Sequence, residues 1–217
     1  MLKSYFQAIH YDKNMSYLRR SPRYRSHSFV HGFLKLHYRL MDNTTSVSIT
    51  DVAGVGQTVG VGNTFGSMTL NSTAPGRGGA GQTTSQGSAT SFWGSATTLG
   101  IVIGTGTTAV APTDYQLATQ IIDGTSSATI EHFPCAGTGF TTAGLTASFT
   151  MERLFRNSSG GSITVNETGI YCGTDRHSGF GTLYKFQICI IRDLVSPGFA
   201  VLNGEYMRII YTISVTA

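Results

Sequence analysis

The sequence predicts an all-β chain. The expected body is an antiparallel β-sandwich or jelly-roll-like unit over residues 42–217, preceded by an extended basic N-terminal arm over residues 1–41. Three observations lead there. Charged residues are 12% of the 217, about half the usual ~25%, which argues against the Glu-, Lys- and Ala-rich make-up of a coiled coil or long helical bundle. Hydrophobic residues reach 40%, too many for a wholly disordered chain. Glycine is frequent at 27 residues and comes with many Ser, Thr and β-branched residues, a mixture that favours strands joined by turns. The length is enough to bury a core without disulfide or metal staples.

The arm is set apart by charge. Residues 1–40 hold eight basic residues and one acid, Asp12, for a net +7; the remaining 177 residues carry seven basic and ten acidic groups, a net −3. Four of the six histidines and eight aromatic residues also fall in this segment. Basic and aromatic residues interleave in Tyr17-Leu18-Arg19-Arg20-Ser21-Pro22-Arg23-Tyr24-Arg25. Two uses fit the pattern. An arm rich in aromatics buries area on a neighbouring subunit, whereas simple polyelectrolyte tails have few aromatics. Alternatively, arginines contact phosphates while tyrosines stack on bases. Tyr17, Arg19, Arg20, Arg23, Tyr24 and Arg25 are the candidate contact residues under either reading. The histidines show no metal-ligand spacing.

The body begins with a short alternation, Val47-Ser48-Ile49-Thr50. Residues 54–106 hold 14 Gly and 16 Ser/Thr with one charge, Arg77. The glycines around Arg77 read as a loop; no Gly-Lys-Ser/Thr follows them, so the phosphate-loop reading fails. Leu99-Gly100-Ile101-Val102-Ile103-Gly104 predicts a strand packed on both faces. Thr113 is placed to cap a short helical turn within Thr113–Ala118, the one helix expected in the body. Ala147 to Phe155 alternates apolar and polar residues, as a half-buried strand does. With the turn at Asn157–Gly161 and the run Ile163–Tyr171, it predicts a hairpin over 147–172. Phe186–Ile191 predicts a strand ended by Arg192-Asp193, followed by turns at Ser196-Pro197-Gly198 and Asn203-Gly204. Met207, Ile209, Tyr211, Ile213 and Val215 alternate with polar residues in the final strand.

Chemistry-bearing groups are sparse. Cys135, Cys172 and Cys189 are too few and too scattered for a disulfide framework, and no CxxC exists, so buried free thiols are expected. Cys172, Asp175 and His177 lie close together in a Gly-flanked segment that reads as a loop, whereas catalytic Cys and His normally come from distant parts of a chain. Glu131-His132 reads as structural. Glu152 with Arg153, and Arg192 with Asp193, are expected to form ion pairs that support the fold. No Gly-x-Ser-x-Gly elbow is present. The expectation is a protein that is not an enzyme and needs no metal or cofactor. No apolar run of ~18 residues predicts a membrane span, and the basic N-terminus lacks the apolar stretch of a secretory signal.

Three elements in order carry a resemblance. They are Gly104-Thr105-Gly106 with Pro112–Leu117; Phe149–Asn157 with Ile163–Tyr171; and Ile191–Pro197 with the closing Tyr211–Val215. Over about residues 99–217 this arrangement resembles a diffuse group of tailed-phage and metagenomic viral structural proteins. The resemblance implies a non-enzymatic β-sheet component of a virion, present in many copies, as a neck, tail, fibre base, capsid or decoration protein. It implies other copies of the chain and other virion proteins as partners. It brings no functional residue set and does not reach the N-terminal 98 residues. On this reading, deleting residues 1–40 should leave a folded body that no longer assembles. Two alternatives stand beside it: a coat protein whose basic arm binds packaged nucleic acid, and a glycan-binding adhesive sandwich using Trp93 and tyrosines as stacking platforms.

Overall fold

A computed structural model describes residues 2–26, 29–41, 47–59, 65–69, 99–177 and 183–217. They form an all-β structure of antiparallel sheets with a single helix among them. Trp93 and the glycine cluster around Arg77 lie outside the described residues.

The first sheet has six strands. β1 (Leu2–Tyr11) is followed by β2 (Tyr17–Arg20) and β3 (Tyr24–Ser26), which both pair with β1 along the same edge. The order continues through β12 (Tyr206–Thr216) and β9 (Thr146–Arg156) to β8 (Glu131–Ala143). β1 therefore pairs with the last strand over its whole length, from Leu2 opposite Val215 to Tyr11 opposite Tyr206. This corrects the expected extended arm: residues 2–11 are an internal strand whose Phe6 and Ala8 are fully buried. Alternation explains why. Ser4, Phe6, Ala8 and His10 face the core, while Lys3, Tyr5, Gln7 and Ile9 alternate with them on the other face, where Ile9 is also buried.

The second sheet is built on β10 (Ile163–His177), flanked by β11 (Leu183–Val201), β6 (Phe65–Thr69) and β7 (Gly100–Gly104). β7 is buried at every position, as expected for a strand covered on both faces. Gly169 lets β10 and β11 lie close together; a Cβ there would stand 2.5 Å from the Ile191 carbonyl. A separate pair, β4 (Val47–Thr50) and β5 (Gly56–Val59), includes the predicted alternation at 47–50.

One apolar cluster joins the two main sheets. Phe6, Met151, Phe155, Met207, Ile209 and Tyr211 from the first meet Ile101, Val165, Ile170, Ile188 and Val201 from the second. The far side of the second sheet holds a smaller cluster of Val30, Val102, Leu117, Tyr171 and Cys189.

Several local expectations are overturned. β9 and β10 belong to different sheets, so 147–172 is not a hairpin; the chain crosses from one layer to the other at Asn157, whose side-chain amide donates to the carbonyls of Gly161 and Val201. Thr113 starts no helix, because Asp114 turns back to bond the backbone N–H of Ala111. The helix that forms is α1 (His31–Met41), inside the basic segment and against β11 and β4. Cys172–His177 is strand, not loop. β11 runs on through Arg192-Asp193, and Ser196-Pro197-Gly198 is a bulge within it, with pairing resuming at Phe199 opposite Val165. Proline and glycine inside a strand commonly mark such bulges. Asn203-Gly204 does turn, with Gly204 at φ +87°.

A candidate binding face on the six-stranded sheet

Register fixes what the outer face of the first sheet displays. Across its strands at one end runs the row Tyr17–Tyr11–Tyr206–Arg156–Glu131. The next row is Arg20–Ile9–Arg208–Leu154. Further along stand Arg25, Tyr5 and Thr212. Guanidinium groups lie over the tyrosine rings: Arg208 on Tyr11 at 5.6 Å, Arg156 on Tyr206 at 5.6 Å, and Arg23 on Tyr5 at 4.5 Å. Such cation–π contacts hold the charge at defined places. Phe133 extends the aromatic row, its ring 6.3 Å from that of Tyr206.

The face is basic. Lys3, Arg20, Arg23, Arg25, Arg156 and Arg208 share it with the carboxylates Glu131 and Glu152. Glu131 lies 3.6 Å from Arg156, and Glu152 lies 3.6 Å from Arg208. Glu152 therefore pairs with Arg208 and not with its chain neighbour. Arg153 points the other way, into the core, where it donates to the carbonyls of Phe133, Leu99 and Ile101.

The six sequence candidates divide. Tyr17, Arg20, Arg23 and Arg25 are exposed, and the register puts Tyr17, Arg20 and Arg25 on the outer face, with Arg23 over Tyr5. Arg19 turns to the opposite side, donating to the Ala200 carbonyl at 2.7 Å and approaching Glu205 at 3.8 Å. Tyr24 packs inward, stacked on Phe6 at 5.2 Å and near Phe199 at 5.8 Å. Tyr5, Tyr11, Tyr206, Arg156 and Arg208 were not singled out from the sequence. The available signal was the outward half of each alternation, read for aromatics and cations rather than only for polarity.

The densest ionic cluster lies on the second sheet and is buried. Arg192 bonds Glu167 at 3.0 Å and Asp114 at 2.6 Å, and donates to the Thr108 carbonyl. Glu167 also accepts from the backbone N–H groups of Gly106, Ala118 and Thr119. With its oxygens so occupied, Glu167 ties the 105–119 segment to the sheet. Asp193 does not pair with Arg192; it accepts from the Tyr211 hydroxyl at 3.0 Å between the sheets. The three cysteines are buried and in no disulfide, and burial pushes the Cys189 thiol up to about 12 and raises Cys135. A protonated thiol is a poor nucleophile. His132 sits edge-on to Phe155 in the core. A cleft of about 480 Å³ is lined by Thr105, Thr119, Gln120, Ser127, Ser159 and Thr164 among others, and no lining residue is an acid, histidine or cysteine. No helix of the described residues is long and apolar enough to cross a membrane.

Compared with protein-family models, with curated proteins and with solved structures, the chain shows no match.

Proposed function

We propose that this chain is a non-enzymatic structural protein that assembles in many copies into a virion component. Its two-layer body is read as a β-sandwich or jelly roll, and copies of the same chain are its first partners. The observation that carries the reading is the end of the six-stranded sheet. Phe140 lies opposite Phe149, which lies opposite Ile213; Thr142, Ala147 and Val215 form the next row. Phe149 and Ile213 pack on the core, but Phe140 is 71% and Val215 50% exposed, and the adjoining turn residue Leu145 is 74% exposed. The core-facing side of the sheet thus projects beyond the core. Strand β8, which ends there, has a strand on one side only among the described residues. An apolar overhang beside an open strand edge invites pairing with another chain. The low charge of the body suits such burial, since interface cores are depleted in charge. The resemblance over residues 99–217 supports the virion as the setting.

The test is particle mass, by mass photometry beside negative-stain images, for the natural chain and for Phe140→Ser/Leu145→Ser. Rings, tubes or shells from the natural chain, reduced to single subunits in the double variant with unchanged circular dichroism, are expected. A natural chain that stays monomeric at micromolar concentration refutes self-assembly.

A further inference from the structure

We propose that the outer face of the six-stranded sheet binds single-stranded nucleic acid, laid across the strands along the Tyr17–Tyr11–Tyr206 row. The proposal differs from a basic arm acting as a tail. Its residues come from both ends of the chain, joined by the pairing of β1 with β12. It is independent of the assembly reading, which rests on the opposite side and far end of the sheet.

Charge selects the class of partner. Lys3, Arg20, Arg23 and Arg25 have no carboxylate within ion-pair distance among the described residues, while both outward acids are held by Arg156 and Arg208. What remains free for a partner is therefore cationic, and the partner is a polyanion. The aromatic row selects the form. Tyr17 is 62% exposed and Phe133 36%, with Tyr11 and Tyr206 half-buried between them. Bases stack on aromatic side chains only when they are out of a duplex, and binders of single strands combine a cationic track with such platforms. A sheet face with aromatics between arginines meets both conditions. A duplex offers its phosphates to the arginines but no base faces to the tyrosines.

The experiment measures fluorescence anisotropy of a labelled oligothymidylate with the full chain across a salt series. A duplex of equal length and polyglutamate serve as competitors. Binding to the single strand is expected to weaken with salt at a log–log slope of about −0.7 per phosphate neutralised. Arg20→Glu/Arg25→Glu, two exposed positions, should weaken binding at least tenfold and flatten the slope by about 1.4. Tyr17→Ala should weaken it about tenfold and leave the slope unchanged, because stacking releases no counterions. Particle mass is recorded for each variant, so a loss of assembly is seen separately from a loss of binding. Absence of binding at low salt overturns the proposal, as does binding that both variants leave intact. Equal competition by the duplex overturns the single-strand assignment. Equal competition by polyglutamate assigns the face to an acidic protein instead.

Discussion

Arg192 shows how one side chain ties a loop to a sheet. It is buried and bonded to two carboxylates and a carbonyl. Replacing it with Met leaves Glu167 buried without its cation, and breaking a buried pair in this way costs about 3–5 kcal/mol. Chemical denaturation should show the loss as a lower midpoint with little change in slope. His10 makes a prediction about pH. It is buried against the edge of Phe199. Burial, followed by the nearby Arg19, lowers its pKa from the ordinary 6.5 to about 4, against a small opposing pull from Glu205. The unfolded chain then binds the extra proton first as pH falls. Above pH 6.5 His10 imposes no penalty; between 6.5 and 4 stability declines as the unfolded chain takes up the proton that the buried imidazole refuses. His10→Gln should flatten that part of the pH–stability curve, and an unchanged curve would remove His10 as its cause.

At the level of elements, β1 overturns the idea of a detachable arm. It contributes Phe6, Ala8 and Ile9 to buried positions and occupies one edge of β12 along ten residue pairs. A fully buried Phe alone is worth about 1.5–3 kcal/mol, against a typical total of 5–15 kcal/mol for a domain. Removing Leu2–Tyr11 should therefore give a chain with no cooperative unfolding transition and rapid proteolysis. A truncated chain that melts at the natural midpoint would restore the arm reading. The alternation that makes β1 a strand was present in the sequence as Ser4, Phe6, Ala8 and His10. The surrounding lysines and arginines obscure it, because the net charge of a segment does not show which face of a strand the cations occupy. Helix α1 was hidden in the same way. Phe33, Leu36 and Leu40 have helical spacing in the sequence, but the interleaved Lys35, His37 and Arg39 continue the basic pattern of the preceding residues and mask it.

For the whole molecule, the sheet order separates two surfaces. The outer face gathers arginines and tyrosines, and the projecting end of the inner face gathers Phe140, Leu145 and Val215. Phe140→Ser/Leu145→Ser should thus leave oligothymidylate binding per subunit in place while particle mass falls. A joint loss would mean that nucleic acid is gripped only by assembled copies. The same sheet order explains why the expected hairpin over 147–172 fails. Both strands exist, but each finds its partners elsewhere: β9 between β12 and β8, β10 among β11, β7 and β6.

The sequence by itself determined the class of structure and the approximate positions of six of the twelve strands among the described residues, β4, β7, β9, β10, β11 and β12. Period-two alternation in Ala147–Phe155 and Met207–Ile213, the wholly apolar Leu99–Gly104 run and the Asn203-Gly204 turn are local signals, set by which side chains avoid water and which backbones can turn. Tertiary structure alone decided which strands are neighbours. It carried Leu2–Tyr11 to the last strand, buried Arg153 and Arg192 among carbonyls and carboxylates, and placed Arg208 on Tyr11 and Arg156 on Tyr206. The physical reason is that strand pairing exchanges equivalent backbone hydrogen bonds whichever strands meet. The choice of partner comes from the sum of side-chain packing across both layers, which no segment contains on its own.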